Sequence, residues 1–476
     1  MAFHFLALLL FSLFSHQCLL VISASCHVDD EAGLLGFKAG IVEDPSGMLV
    51  SWKSGSDCCT WSGINCRENN RVTTISLSGE PGNPKSYLSG TIASALSKVQ
   101  NLDGIYFDNL RNITGAFPKV IFDLPKLKYV YIENSKLSGP LPSNIGELSR
   151  FGALSVVGNQ FSGRIPSSVS QLTELTQLKL GGNLLFGQIP DGIGQLKNLT
   201  YLSLERNKFS GKIPYFLSGL TELRILNLSY NLFSGEIPAT ISSLAPNLRY
   251  LELGHNKLTG KIPDFLSNFK QLDTLDLSWN SFSGVLPKSF KNLTKIFNLD
   301  LSHNQLVEPF PELNVKGIES LDLSYNKFKL VEIPKWVTSS PIIYSLKLAG
   351  CGIKIKLDDW KPSQTYFYDY IDLSDNEITG SPVSLLNSTG YLVGFWASGN
   401  QLKFKMESLI MPKTLKFLNL SRNLMFGKVP ATISGLEKLD VSYNHLCGKI
   451  PANNFSASAF VGNDCLCGSP LSPCKV

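Results

Sequence analysis

The 476-residue chain has little charge and few reactive groups. Asp, Glu, Lys and Arg make up 17% of it, the net charge is +5, and there are only six histidines. A chain that is 43% hydrophobic and weakly charged is not intrinsically disordered, because disorder needs the reverse balance. No cluster of Lys or Arg stands out, which excludes a nucleic-acid partner. The mild positive charge is compatible with an acidic polysaccharide or an acidic protein surface. Beyond Ile22 no apolar run is long enough to span a bilayer, because polar residues interrupt each one. The motifs of a phosphate loop, a metalloprotease helix and a nucleophile elbow are missing. Cysteine is nearly absent from the middle of the chain, where only Cys351 lies between Cys66 and Cys447.

Met1 to Leu20 contain no Lys, Arg, Asp or Glu. An apolar run from Phe5 to Phe14 continues through Leu19 to Ile22, and Ser23, Ala24 and Ser25 follow. Residues 1–24 therefore read as a signal peptide. The end at Cys474-Lys475-Val476 carries no hydrophobic tail of the lipid-anchor type. Cys18 falls in that signal segment, and the other cysteines besides Cys351 form two groups of four: Cys26, Cys58, Cys59 and Cys66, then Cys447, Cys465, Cys467 and Cys474. Two even groups in an exported chain read as two disulfides at each end. Zinc is not expected, since the spacing and histidine ligands are wrong. Neither metal nor cofactor is expected elsewhere. Seven Asn-x-Ser/Thr triplets fit the secretory route: Asn112, Asn198, Asn227, Asn292, Asn387, Asn419 and Asn454.

What is abundant is repetition. Leu226-Asn-Leu228-Ser-Tyr-Asn231-Leu-Phe-Ser-Gly235-Glu-Ile-Pro238 returns as Leu251-Glu-Leu253-Gly-His-Asn256-Lys-Leu-Thr-Gly260-Lys-Ile-Pro263. The same asparagine recurs at Asn159, Asn183, Asn207, Asn280, Asn304, Asn326, Asn376, Asn400, Asn423 and Asn444. From Asn159 to Asn304 the step is 24 or 25 residues. From Asn326 to Asn376 it doubles to 50, and Cys351 occupies the intermediate slot. Three degenerate copies, centred on Leu77, Phe107 and Ile132, come earlier. The total is about 16 repeats.

Each position has a physical reading. The paired leucines alternate with polar residues at period two, which predicts a short strand with one buried face. Strands of successive repeats stack in parallel and pool their leucines into one core. The asparagine turns inward, where its amide can satisfy backbone groups left unpaired by the turn. Cys351 in that slot reads as a buried structural thiol. The glycine marks a turn that needs an unhindered backbone. The residue before proline is held extended. At about 4.8 Å per strand the sheet would be roughly 70–80 Å long, a scale suited to a protein partner rather than a metabolite.

The Leu-x-Gly-x-Ile-Pro signature resembles the plant-specific class of leucine-rich repeat. That resemblance implies an α/β solenoid: a right-handed superhelix with a parallel concave β-sheet and a second small sheet. Solenoid ends must be covered. Asp29-Asp-Glu-Ala-Gly-Leu-Leu-Gly-Phe-Lys38 reads as an amphipathic helix with acids in its first turn. The segment Ser51-Trp52 to Asp57-Cys58-Cys59-Thr-Trp61-Ser-Gly-Ile-Asn-Cys66 follows it. The expected organisation is a front cap at 25–70, repeats at 71–446 and a rear disulfide cap at 447–476. The rear cap, Asn463-Asp-Cys-Leu-Cys-Gly-Ser-Pro-Leu, and the irregular Gln401-Leu-Lys-Phe-Lys-Met-Glu-Ser resemble the polygalacturonase-inhibiting proteins of plant cell walls. The chain is longer than that family's usual ten or so repeats. The resemblance implies disulfides Cys26–Cys58, Cys59–Cys66, Cys447–Cys465 and Cys467–Cys474.

The repeat frame also lays out the concave face. Between the paired leucines stand Lys179, Ser203, Asn227, Glu252, Asp276, Asp300 and Asp322. Just before each Asn stand Gly182, Arg206, Tyr230, His255, Trp279, His303 and Tyr325. A third column holds Gln177, Tyr201, Ile225, Tyr250 and Thr274. The candidate partner-binding residues are Lys179, Tyr201, Arg206, Tyr230, Tyr250, Glu252, His255, Asp276, Trp279, Asp300 and His303. Tyr, Trp and Arg are the usual anchors of interfaces, and the acidic column suits a basic partner surface.

Glu252 and Asp276, on adjacent strands, come within reach of glycosidase-like spacing. On an open, solvated row nothing is expected to raise either acid, so an enzyme is not expected. His255 and His303, two strands apart, are too distant to share a metal. The resemblance implies a secreted defence protein of the apoplast or cell wall that binds and inhibits a microbial cell-wall-degrading hydrolase. A soluble co-receptor for a peptide or a receptor-kinase ectodomain, and a structural protein bound to pectin, are the alternatives.

Overall fold

The structure, a computed structural model, describes residues 26–474. The expected signal peptide, residues 1–24, lies outside the described residues. The chain divides into two compact units after Leu137.

The first unit opens with the helix Val28–Ala39, with Leu34 and Phe37 buried and Asp29, Asp30 and Glu31 in its first turn. These acids are not equivalent. The Asp30 side chain is fully buried. Its carboxylate accepts from Arg71 Nε and Nη2, both at 2.8 Å, and from the Val72 amide at 2.9 Å. A buried carboxylate persists only when paired and bonded in this way. The fork ties the helix to the strand Arg71–Ser78. The Asp30 hydrogen bonds also push the Arg71 guanidinium pKa upward. Trp52 stacks on Trp61 at 5.6 Å and lies 5.9 Å from Phe37. Disulfides join Cys26 to Cys58 and Cys59 to Cys66. Arg71–Ser78, Gly104–Asp108 and Tyr129–Glu133 pair in parallel and in register.

The second unit carries thirteen parallel three-residue strands, from Ala153–Ser155 to Lys438–Asp440. Their register holds the repeat frame: Leu226, Leu251, Leu275, Leu299 and Leu321 are successive partners. None of these leucines is more than 2% exposed. Each such burial contributes about 1.5–3 kcal/mol, so the core grows by equal increments along the array. A second layer of short parallel strands runs beside them, for example Leu232–Gly235 on Lys257–Gly260. Gly235 and Gly260 have φ of +80° and +86°, a region that favours glycine.

The asparagines turn inward as expected. Asn231 Nδ2 donates to the carbonyls of Leu204, Leu228 and Ser229, and its Oδ1 accepts from the Phe209 amide. Cys351 is buried and unbridged in the same slot, its thiol 3.4 Å from the Leu323 carbonyl. Burial pushes that thiol's pKa upward.

The outer connections are mainly 3₁₀ turns. Most begin directly after the repeat proline, as at Ala239–Leu244 and Asp264–Asn268. Runs this short suit the tighter i→i+3 turn, which is used in pieces of a few residues. The only α-helices described in this unit are Lys335–Thr338 and Val383–Ser388. In the rear cap, His445–Lys449 pairs in parallel with Cys465–Cys467. Disulfides there join Cys447 to Cys465 and Cys467 to Cys474. In the irregular stretch, buried Met406 opens the turn Met406–Ser408 where the Ile-Pro is lost. Among the described residues no helix is long and apolar enough to cross a membrane.

Candidate binding groove on the concave face

The residue before each asparagine sits where the strand turns into the left-handed region. Arg206, Tyr230, His255, Trp279, His303 and Tyr325 have φ between +50° and +55°. The same slot holds glycine at Gly158, Gly182, Gly350 and Gly399. Bulky residues there cost about 1–3 kcal/mol each. They are held by hydrogen bonds to the next repeat, such as Trp279 N to Ser302 O at 2.9 Å and His303 N to Ser324 O at 2.8 Å.

The strained residues stack into a column. Ring centroids are 3.9 Å apart for Tyr230 and His255, 5.2 Å for His255 and Trp279, 3.7 Å for Trp279 and His303, and 4.8 Å for His303 and Tyr325. Arg206 closes one end, 4.0 Å over the Tyr230 ring. At the other end the Tyr325 hydroxyl donates to Asp375 at 2.9 Å, and Asp375 pairs with Arg422 at 3.3 Å. Ring faces are therefore covered by one another within the column. Trp279 is nonetheless 49% exposed.

Beside the column runs the acidic row. Glu252, Asp276, Asp300 and Asp322 are successive register partners. The structure corrects the expectation that this row is freely solvated with ordinary acidity. Burial, and then the neighbouring Asp276 charge, push Glu252 up to about 7. Burial and Asp322 push Asp300 up to about 6, against the opposing bonds from Ser302. The strands hold these carboxyls half-buried among like charges, and both effects disfavour ionisation. His255 and His303 are shifted downward, chiefly by burial.

Column and row line a groove of 640 Å³. Of the candidate residues, the structure brings Tyr230, His255, Asp276, Trp279, Asp300 and His303 together there. Five others lie outside its lining. Glu252 is at the border, where its Oε2 accepts from Asn227 Nδ2 at 2.7 Å. Arg206 is spent on Tyr230, and Lys179 lies 4.6 Å over the Tyr201 ring. Tyr250 stands on the same strand as Glu252, in the third column. The groove extends instead to Asp322, Tyr325, Lys347, Tyr370, Asp372 and Trp396. Lys347 and the residues after it lie beyond the Asn326 repeat, where the columns laid out from the sequence end. The signal was available in the 50-residue step.

A second hollow of 650 Å³ continues from Tyr370 and Trp396 past Phe417 to Asn419, Lys438, Asn454 and Phe455. The Trp396 ring stacks between Tyr370 and Phe417, 6.2 Å from each. Gly394 makes that possible, because a Cβ there would run into the indole. Two sequon asparagines face the concave side. Asn227 has its amide nitrogen engaged by Glu252, and Asn419 lines the second hollow. The one group of potential metal ligands among the described residues, Cys26, Cys58 and Cys59, belongs to the front-cap disulfides.

Comparison with known proteins places these features in context. Residues 27–67 match the leucine-rich repeat N-terminal domain, 91–246 the leucine-rich repeat region, and 246–306 and 435–456 further leucine-rich repeats. Polygalacturonase inhibitor 1 of Arabidopsis thaliana is 36% identical over 114 residues, 23% of this chain and 34% of that protein. The chain thus aligns with about a third of the length of such curated relatives. The plant peptide hormone receptor RGFR1 in complex with RGF2 is similar in structure, with TM-score 0.60 and 28% identity over 76% of this chain and 62% of that one. So is the Arabidopsis receptor kinase HAESA ectodomain in complex with an N-terminally extended IDA peptide hormone. It has TM-score 0.58 and 26% identity over 94% and 99% of the two chains.

Proposed function

We propose that this plant-type leucine-rich-repeat protein, with its N-terminal repeat cap, is a non-enzymatic binding protein of the plant apoplast. It takes a cationic segment of another protein into the concave groove. The partner proposed first is a microbial cell-wall-degrading hydrolase, which binding would inhibit. The observation that carries this reading is the column of five stacked rings, built at strained backbone positions beside an acidic row in which Asp322 alone meets a lysine. Strain kept at every rung of one open face points to use of that face. Aromatic edges over carboxylates suit a partner that brings both apolar contact and positive charge. Four disulfides favour an oxidising compartment. The similarity to a polygalacturonase inhibitor favours the hydrolase. Against catalysis, the acids form a repeating row in an open groove rather than an isolated pair.

The test mixes the chain from residue 25 onward with a panel of fungal and bacterial pectinases and xylanases. Residual activity and binding are both recorded. Inhibition that drops at least tenfold in the His255→Ala, Trp279→Ala double variant supports the reading. Absence of binding to every hydrolase removes it. A second reading then leads: an extended peptide, or a receptor-kinase ectodomain presenting one. The likeness to two peptide-bound receptors favours it.

A further inference from the structure

The last positions of six consecutive strands read Glu252, Asp276, Asp300, Asp322, Lys347 and Asp372, each in register with the next. Lys347 is the one cation in this run. Its ammonium lies 3.5 Å from Asp322 Oδ2. It splits the row into two unequal parts. Lys347 offsets one of the two carboxylates, Asp322 and Asp372, that flank it. Glu252, Asp276 and Asp300 have no cation among them.

The hydrogen bonds of those three leave room for one. Asp276 and Asp300 each commit Oδ1 to the amide and hydroxyl of the serine two residues on, at 2.6–3.0 Å. Their Oδ2 atoms accept no hydrogen bond among the described residues. Gly254, two residues beyond Asp276's register partner Glu252, has no side chain, and a Cβ there would fall on the Asp276 carboxylate. Strands are about 4.8 Å apart. Half-buried carboxyls at that spacing relieve their repulsion by keeping a proton on alternate members.

We infer that Glu252, Asp276 and Asp300 form a proton-exchanging cation site, at which guanidinium or ammonium groups of the partner displace protons held by the row, and that Lys347 fixes where this site ends. The exchange presupposes the groove's role in binding and specifies what it reads. When the cation arrives, a carboxyl O–H gives its proton to solvent, and no covalent bond to the partner forms.

The surroundings agree. The groups facing the triad are Glu205 and Arg206 on one side, His255 and His303 in the column, and Asp322 with Lys347 on the other. Arg206 is committed to the Tyr230 face. Burial keeps both histidines from gaining charge at their ordinary pH. Proton uptake in the groove therefore falls on the carboxyls, of which Glu252 and Asp300 are lifted most. Asp372 is lifted as well, chiefly by burial. Lys347 opposes that rise and holds the far segment apart from the exchange.

The experiment titrates the described chain with hexa-arginine amide by calorimetry, in two buffers of different ionisation enthalpy, at pH 6.0 and 8.5. The expected result is release of about one proton per peptide at pH 6.0 and almost none at 8.5. Linkage then requires affinity to rise about tenfold per pH unit near pH 6 for each proton released. Glu252→Gln with Asp300→Asn should abolish the release, and Asp276→Lys should abolish binding. Lys347→Met should tighten hexa-arginine severalfold and leave di-arginine amide unchanged. If the double variant does not fold by circular dichroism, Glu252→Gln alone should lower the release. No release at pH 6.0, no binding of the peptide, or a Lys347→Met chain that binds both peptides like the parent would each overturn the inference. A chain that still inhibits a hydrolase in that event keeps its groove function without the exchange.

Discussion

Replacing Asn304 with alanine tests the asparagine ladder. The side chain is buried, with its amide nitrogen on the carbonyls of Leu277 at 2.9 Å, Leu301 at 3.2 Å and Ser302 at 3.1 Å. Its oxygen accepts from the Phe282 amide at 2.9 Å. The partners do not suffer equally. The Leu277 carbonyl keeps Asn280, the Leu301 carbonyl keeps Asn326, and the Ser302 carbonyl keeps the Trp279 amide. Only the Phe282 N–H, on a residue with no exposed surface, loses its sole acceptor. An orphaned buried donor costs about 1–3 kcal/mol, and each lost bond to a carbonyl that keeps another partner about 0.5. The expected loss is therefore about 2.5–4.5 kcal/mol, a large part of a typical stability of 5–15 kcal/mol. Urea unfolding followed by far-ultraviolet circular dichroism measures it, with exposed Gln305→Ala as a control within about 0.5 kcal/mol. A loss below about 1 kcal/mol for Asn304→Ala would refute the claim that this amide holds adjacent repeats together.

Two further outcomes follow from the groove. Gly394→Ala places a methyl group in the space of the Trp396 indole. The ring must leave its place between Tyr370 and Phe417, shifting tryptophan emission to the red and costing about 1–3 kcal/mol; an unchanged spectrum counts against the stacked arrangement. Stability should also fall as pH rises from 5 to 7.5. The folded chain holds protons on Glu252, raised from 4.5 to about 7, and Asp300, raised from 3.8 to about 6, that the unfolded chain has already lost. Asp276→Asn removes a charge that raises both, so it should flatten this slope; a variant with the parent's slope contradicts the repulsion.

The strands, their register and the inward asparagines were legible because each repeat restates the same local requirement. Period-two leucines can bury only one face, and a 24-residue step brings like positions together. The column of Arg206, Tyr230, His255, Trp279, His303 and Tyr325 could be named on the same ground. The outer 3₁₀ turns were not foreseen, since the inward pattern says little about how few residues remain to cross the convex side. Nor was the buried Asp30–Arg71 fork, because an acid in a first helical turn reads equally well as a dipole partner.

Frame and facing, then, were determined by the sequence alone, through local periodicity. Only the tertiary structure decided which facing residues act together. Stacking depends on backbone φ at each rung and on ring contacts between repeats, which no single repeat encodes. The acidity of Glu252 and Asp300 likewise comes from burial and from charges one strand away. Lys347 closes the row, and the Trp396 ring meets Tyr370 and Phe417, because parallel pairing sets side by side residues that lie more than twenty positions apart in the chain.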